Sequence, residues 1–232
     1  MADPRLAEVV EALADEIATL PAGARVMSEH QLMTRYGITR SIARAALGQL
    51  ESRFLVRRAQ GAGTFVHRRA DFVISRQRPP SLHRGLAEAG GRARSFVVMH
   101  ELQPAPPAIA ERLGSGSDPC HRLERVAYLD DTLASYLTEW VAPGIADHLE
   151  VGLAVIESLD ELLRGLRWTP ERDWCLVTVD CPPRRICQRL ELSDTTLAWN
   201  VDSLTIDAPS GRPLFFSSNW TRLDLVRFIC EL

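Results

Sequence analysis

The sequence predicts an α+β protein in two unlike parts, a small helical module closed by a β-hairpin and a larger antiparallel sheet flanked by helices. Three observations carry that prediction. Apolar residues recur at helical spacing through the first fifty positions, and from Leu55 the period shortens to alternation around a Gly-x-Gly. Beyond about residue 96, alternating runs bounded by turn residues outnumber helical ones. The 232 residues suffice for two modest domains, and an apolar fraction of 46% can fill two cores.

In chain order, Leu6, Val9, Val10, Leu13, Ile17 and Leu20 form one stripe of a first helix, stopped by the Leu-Pro-Ala-Gly run at 20–23. Ser28 with Gln31 is a capping box for a second helix, and Gly37 can take the left-handed conformation that ends it. Thr39 caps a third helix whose apolar face is Ile42, Ala43, Ala46, Leu47 and Leu50. Arg40, Ser41 and Arg44 fall on its other face, toward the N-terminus, the part of a recognition helix that enters the DNA major groove. Arginine there can bind guanine O6 and N7 together or grip a phosphate, and a serine hydroxyl reaches either. Residues 55–58 and 64–66 then read as strands around Ala59-Gln60-Gly61-Ala62-Gly63, whose glycines permit positive φ and let backbone amides approach a phosphate. Helix, turn, helix and hairpin in this order make a winged helix-turn-helix. Its charge agrees, with nine arginines against Glu29 and Glu51 between positions 24 and 69 of a chain whose net charge is −3.

The run S-E-x-x-L-x-x-x-Y-G-I-T-R-x-x-x-R-x-A-L-x-x-L, followed by Q-G-x-G-T-F-V, resembles the DNA-binding domain of the GntR family of bacterial transcription regulators. The resemblance implies double-stranded operator DNA as partner, contacted by Thr39, Arg40, Ser41 and Arg44, with Gln60 and Gly61 at the wing. Ser28, Arg58 and Gly63 complete the candidate DNA-binding set. Two positions depart from the family pattern: His30 stands where an arginine that touches DNA is usual, and Phe54 where glycine is usual. Phenylalanine tolerates positive φ poorly, so the third helix must end differently or store strain.

The first domain is placed at 1–69, a linker and entry segment ending in Pro79-Pro80 at 70–80, and the second domain at 81–232. In the second domain, Ser81 caps a helix that stops at Gly90-Gly91, 96–102 is a strand, and Pro106-Pro107 opens a helix ending at Leu113-Gly114. Strands at 120–129 and 133–142 are joined by Asp130-Asp131, and Ser158 with Glu161 opens a helix. A strand at 174–180, a helix at 183–190 and strands at 196–206 and 213–221 around Pro209-Ser-Gly-Arg212 complete it. Hairpins dominate, which favours an antiparallel sheet with helices beside it.

The order of A-x-x-L-G, L-E-R-V, T-E-W, S-L-x-E-L-L and G-R-P resembles the UTRA effector-binding domain of the HutC subfamily of GntR regulators, which has a chorismate-lyase-like fold. That resemblance implies a cleft for a small, often anionic effector at Ser75, Arg76, Arg78, Arg125, Glu139 and Ser158. Arginine forks suit phosphate or carboxylate oxygens, and a serine-headed helix start offers free amides. Gln77, Pro79 and Ala127 depart from the usual pattern. Each residue also has a structural use: Arg76 and Arg78 as exposed linker charges, Arg125 and Glu139 as a cross-strand pair, Ser158 as a helix cap.

Five cysteines without Cys-x-x-Cys spacing suggest neither a disulfide framework nor a zinc site. His83, His100, His121 and His148 are scattered, and neither a metal nor another cofactor is expected. No nucleophile-base pairing or phosphate loop points to an enzyme. The N-terminus lacks a signal-peptide pattern and no apolar run is long enough to span a membrane, so a cytoplasmic protein without a membrane partner is expected. The expected mechanism is a homodimeric repressor released from a palindromic operator by its effector; the alternatives are an effector-independent DNA binder and a lyase-like enzyme.

Overall fold

In the computed structural model, residues 4–75, 78, 80–88 and 90–231 are described, and the chain divides into two compact units between Arg69 and Ala70. In the first unit, α1 (Pro4–Thr19) buries the Val9, Val10, Leu13 and Ile17 stripe against α3 (Arg40–Ser52), which contributes Ala43, Ala46, Leu47 and Leu50. The helix between them, α2 (Glu29–Tyr36), begins with a reciprocal cap: Ser28 N–H donates to Gln31 Oε1 at 2.9 Å and Gln31 N–H to Ser28 Oγ at 3.4 Å. Gly37 ends it at φ 59°, and Thr39 accepts from the Ile42 amide to start α3. The hairpin pairs β1 (Val56–Ala59) with β2 (Gly63–Val66), and Arg25 adds a bridge to Phe65. Phe54 takes φ 57° and its ring carries the Arg69 guanidinium 4.9 Å above it. The strain expected there is therefore present, at a cost of about 1–2 kcal/mol.

The second unit is a six-stranded antiparallel sheet in the order β4-β5-β6-β9-β8-β7, formed by Ala93–Pro104, Pro119–Leu129, Thr132–Val141, Pro213–Arg222, Ala198–Asp207 and Pro170–Asp180 respectively. Asp130 and Asp131 both adopt positive φ in the β5–β6 turn. Strand alternation puts Arg125, Leu137, Glu139, Ser203 and Asn219 on one face. Tyr136 and Trp220 lie on the other, under α8 (Arg184–Leu190). Burial, and then the hydrogen bond Tyr136 donates to Glu124, push the tyrosine hydroxyl up to about 12. The first face is covered by α4 (Leu82–Glu88), α6 (Leu149–Ile156) and α7 (Leu159–Gly165), while α5 (Pro107–Leu113) closes the core beside β9.

The structure corrects the linker. Residues 70–74 form β3 (Ala70–Ile74), which pairs in parallel with β10 (Val226–Cys230), Ala70 opposite Val226 and Ile74 opposite Cys230. Phe72 and Ile74 alternate inward, but flanking arginines make the segment read as polar, and its partner is about 150 residues away in sequence. The 70–80 segment therefore begins inside the second unit rather than before it. Two further elements, β10 and α6, were not expected; α6 is apolar nearly all round and its N-cap His148 makes no side-chain cap bond.

Gly85 lets α4 lie directly on β3. A Cβ at Gly85 would stand 2.3 Å from Phe72 Cε2. Gly85→Ala is expected to destabilise the second unit by about 1–3 kcal/mol through overpacking, read by urea denaturation.

Candidate DNA-binding surface and effector cavity

On the first unit, Arg40 and Arg44 are one turn apart on α3, with side chains 73% and 61% exposed. Glu29 of α2 holds both: its Oε2 accepts from Arg40 Nε at 3.2 Å and its Oε1 from Arg44 Nε at 3.1 Å. The hydrogen bond from Arg44, aided by that from Arg40, keeps the Glu29 carboxyl below its ordinary range. Engaging Nε fixes the direction of each guanidinium and leaves its terminal nitrogens for a base edge or phosphate. Ser41 Oγ lies 2.9 Å from Thr39 Oγ1. Ser28 is committed to capping α2. Gln60 and Gly61 are exposed at the hairpin tip, where Gly61 has φ 74°.

Arg58 behaves differently from the other arginines of this set. It donates to the Arg44 carbonyl at 3.2 Å and pairs with Glu51 at 3.3 Å, so it braces the hairpin against α3. Gly63, at φ 123°, makes room for Arg25, whose Nε lies 3.2 Å from where a Cβ would stand. Arg25 was not singled out from the sequence because it precedes the helix signals; only its bridge to Phe65 brings it to the hairpin.

In the second unit, β5, β6, β8 and β9 with α4 and α7 enclose a cavity of about 60 Å³, room for roughly four to six waters. Arg125, Glu139 and Ser158 line it, as do Ser81, Ser95, Asp160 and Arg172. Arg125 and Glu139 are both buried, and Arg125 Nη1 donates to the two carboxylate oxygens at 3.2 Å each. Arg125 Nη2 donates to Ser95 Oγ and, at 2.7 Å, to the Glu157 carbonyl. Ser158 Oγ accepts the Glu161 amide at 3.3 Å and lies 3.2 Å from Ser81 Oγ, itself the cap of α4. The cross-strand and capping uses weighed from the sequence are thus both realised, within the cavity wall.

Ser75 and Arg78 are not among the lining residues: Ser75 is buried at the end of β3, and Arg78 pairs with Glu88 at 3.0 Å. Arg76 lies outside the described residues. Arg172 was missed, because the strand expected at 174–180 begins at Pro170 and carries Arg172 to the cavity. Two histidines that look scattered also meet, His100 Nε2 lying 2.9 Å from His121 Nδ1. Among the described residues no group of three or more His, Cys, Asp or Glu is arranged to hold a metal.

Comparison with known proteins places both units. Residues 6–66 match the family model for bacterial regulatory proteins of the gntR family, and residues 88–227 match the UTRA domain. The chain belongs to the UTRA-domain GntR regulators. It is 33% identical over 149 residues to the HTH-type transcriptional regulator Rv0792c of Mycobacterium tuberculosis, a match that spans 63% of this chain but only 54% of that relative. It is 24% identical over 214 residues to the HTH-type transcriptional regulator GgaR of Escherichia coli K12, covering 91% of this chain and 84% of GgaR. The fold resembles the crystal structure of PhnF from Mycobacterium smegmatis with a TM-score of 0.64 at 19% identity, over 97% of this chain and 98% of that one. These relatives are transcriptional regulators rather than enzymes. A GntR unit implies DNA as a partner, and a UTRA unit implies a small-molecule effector. No helix among the described residues is long and apolar enough to cross a membrane.

Proposed function

We propose that the protein is a HutC-type repressor that leaves a palindromic operator when a small anion fills the cavity of its UTRA unit. The observation that carries this reading is the pairing, on one chain, of Arg40 and Arg44 on α3, held by Glu29 of α2, with a cavity lined by the buried Arg125 and the half-buried Arg172. Arg40, Ser41 and Arg44 face the major groove, with Thr39, Gln60 and Gly61 against the backbone and minor groove and Arg58 acting as a brace. It works in the cytoplasm as a homodimer, and half-sites lie about one helical turn apart. Exposed Phe96 and Val98 on β4 and Val151 and Val155 on α6 support a self-association surface in the second unit.

Repression ends because the effector binds better to the arrangement of the two DNA-binding units that does not match the operator spacing. The test is anisotropy of a labelled duplex from the promoter of its own gene, with and without small carboxylates and phosphates. At least one of them should lower operator affinity about tenfold, a coupling of about 1.4 kcal/mol. Operator binding unaffected by every anion tried would favour the effector-independent reading.

A further inference from the structure

Among the described residues, the carboxylates and guanidinium groups lining the cavity are each paired, with one exception. Arg125 pairs with Glu139, and Arg94 with Glu157 at 2.8 Å. Asp160 pairs with Arg164 at 3.0 Å. Arg172 has no such partner: its Nε and Nη1 are buried and make no hydrogen bond among the described residues. Asp202, on the neighbouring strand β8, does not line the cavity, whereas Val201 and Ser203 on either side of it do. Burial draws the Arg172 guanidinium below its ordinary pKa, but arginine stays charged at neutral pH.

Arg172 is half-buried, but donors of a cation that are themselves buried and unmet are costly unless something with negative charge completes them. The rest of the wall sets the size and character of that partner. Phe72, Leu86, Val201, Phe215 and Phe228 supply apolar surface, and the limited free space selects a small ligand. Asp160 and Glu139 also line the cavity and disfavour a second negative charge, which a phosphate would bring.

We propose that the cavity takes a small monoanionic carboxylate with an apolar body, and that the free donors of Arg172 hold its carboxylate group. This rests on the reading of the cavity as the effector site and names the chemical class. One free positive charge selects one negative charge, and the phenylalanine and leucine surface selects the body.

The test uses the full chain and three probes that share a phenyl ring, benzoate, phenyl phosphate and benzamide, followed by melting temperature and calorimetric titration. Acetate, octanoate and phenylacetate extend the carboxylate series. At least one carboxylate should raise the melting temperature, phenyl phosphate should bind at least about tenfold more weakly, and benzamide should have no effect. Arg172→Met should melt at the same temperature as the unsubstituted protein or higher, since it removes an uncompensated charge, and should lose the carboxylate response. Arg172→Lys should keep part of it.

Phenyl phosphate binding as tightly as the carboxylates, and lost in Arg172→Met, would overturn the carboxylate class and leave the effector reading standing. A carboxylate response retained in Arg172→Met would overturn the assignment of Arg172. Failure of both variants to fold would show Arg172 to be structural and overturn it equally. No response to any probe, with operator affinity unchanged by every anion, would overturn both readings.

Discussion

Replacing Arg44 by alanine lowers operator affinity by roughly 5- to 150-fold, the equivalent of about 1–3 kcal/mol for one bidentate base contact. The fold should hardly notice. The Arg44 side chain is 61% exposed and its recorded side-chain partner is Glu29, so the lost surface ion pair contributes little to stability. The substitution also frees Glu29 from Arg44, leaving Arg40 on that carboxylate. Gel-shift titration against operator and scrambled duplexes distinguishes base reading from phosphate grip. A base contact concentrates the loss on the operator, whereas a phosphate contact weakens both duplexes alike and shallows the salt slope by about one. Full affinity for the operator would remove Arg44 from the interface.

Glu139→Ala is expected to have the largest effect on stability. Arg125 is 4% exposed and relies on Glu139 for both oxygens that Nη1 contacts. Removing the carboxylate strands a buried guanidinium, at a cost of about 3–5 kcal/mol. Replacing both members with apolar residues, Arg125→Met with Glu139→Leu, should recover most of that loss, because the desolvation penalty disappears with the charge. Urea denaturation of the two variants decides the point. If Glu139→Ala unfolds no more easily than the unsubstituted protein, the pair serves ligand binding and not the fold.

What was legible in the sequence was local. Ser28 with Gln31, Thr39, Gly37 and the Asp130-Asp131 turn each announce a backbone geometry through one or two side chains, and the structure places those elements within a few residues. Chemistry that depends on distant pairing was not legible. The β3–β10 pair joins Ala70 to Val226, and nothing near Ala70 in the chain marks that partner. Arg172 sits just outside the apolar run that defines its strand, so a polar residue at an inward position looked like a strand flank. At the DNA-binding unit, composition shows the positive charge, but only the fold shows that Arg58 turns back to α3 while Arg40 and Arg44 remain exposed.

The central claim is that the first unit grips duplex DNA through its arginines, and equilibrium binding across a salt series tests it most directly. Between roughly 50 and 200 mM salt, log affinity of the full chain for a duplex from its own promoter should fall linearly with log salt, with a slope of about −0.9 per phosphate neutralised. An affinity that is absent, or that does not change with salt, for every duplex from that region would contradict it.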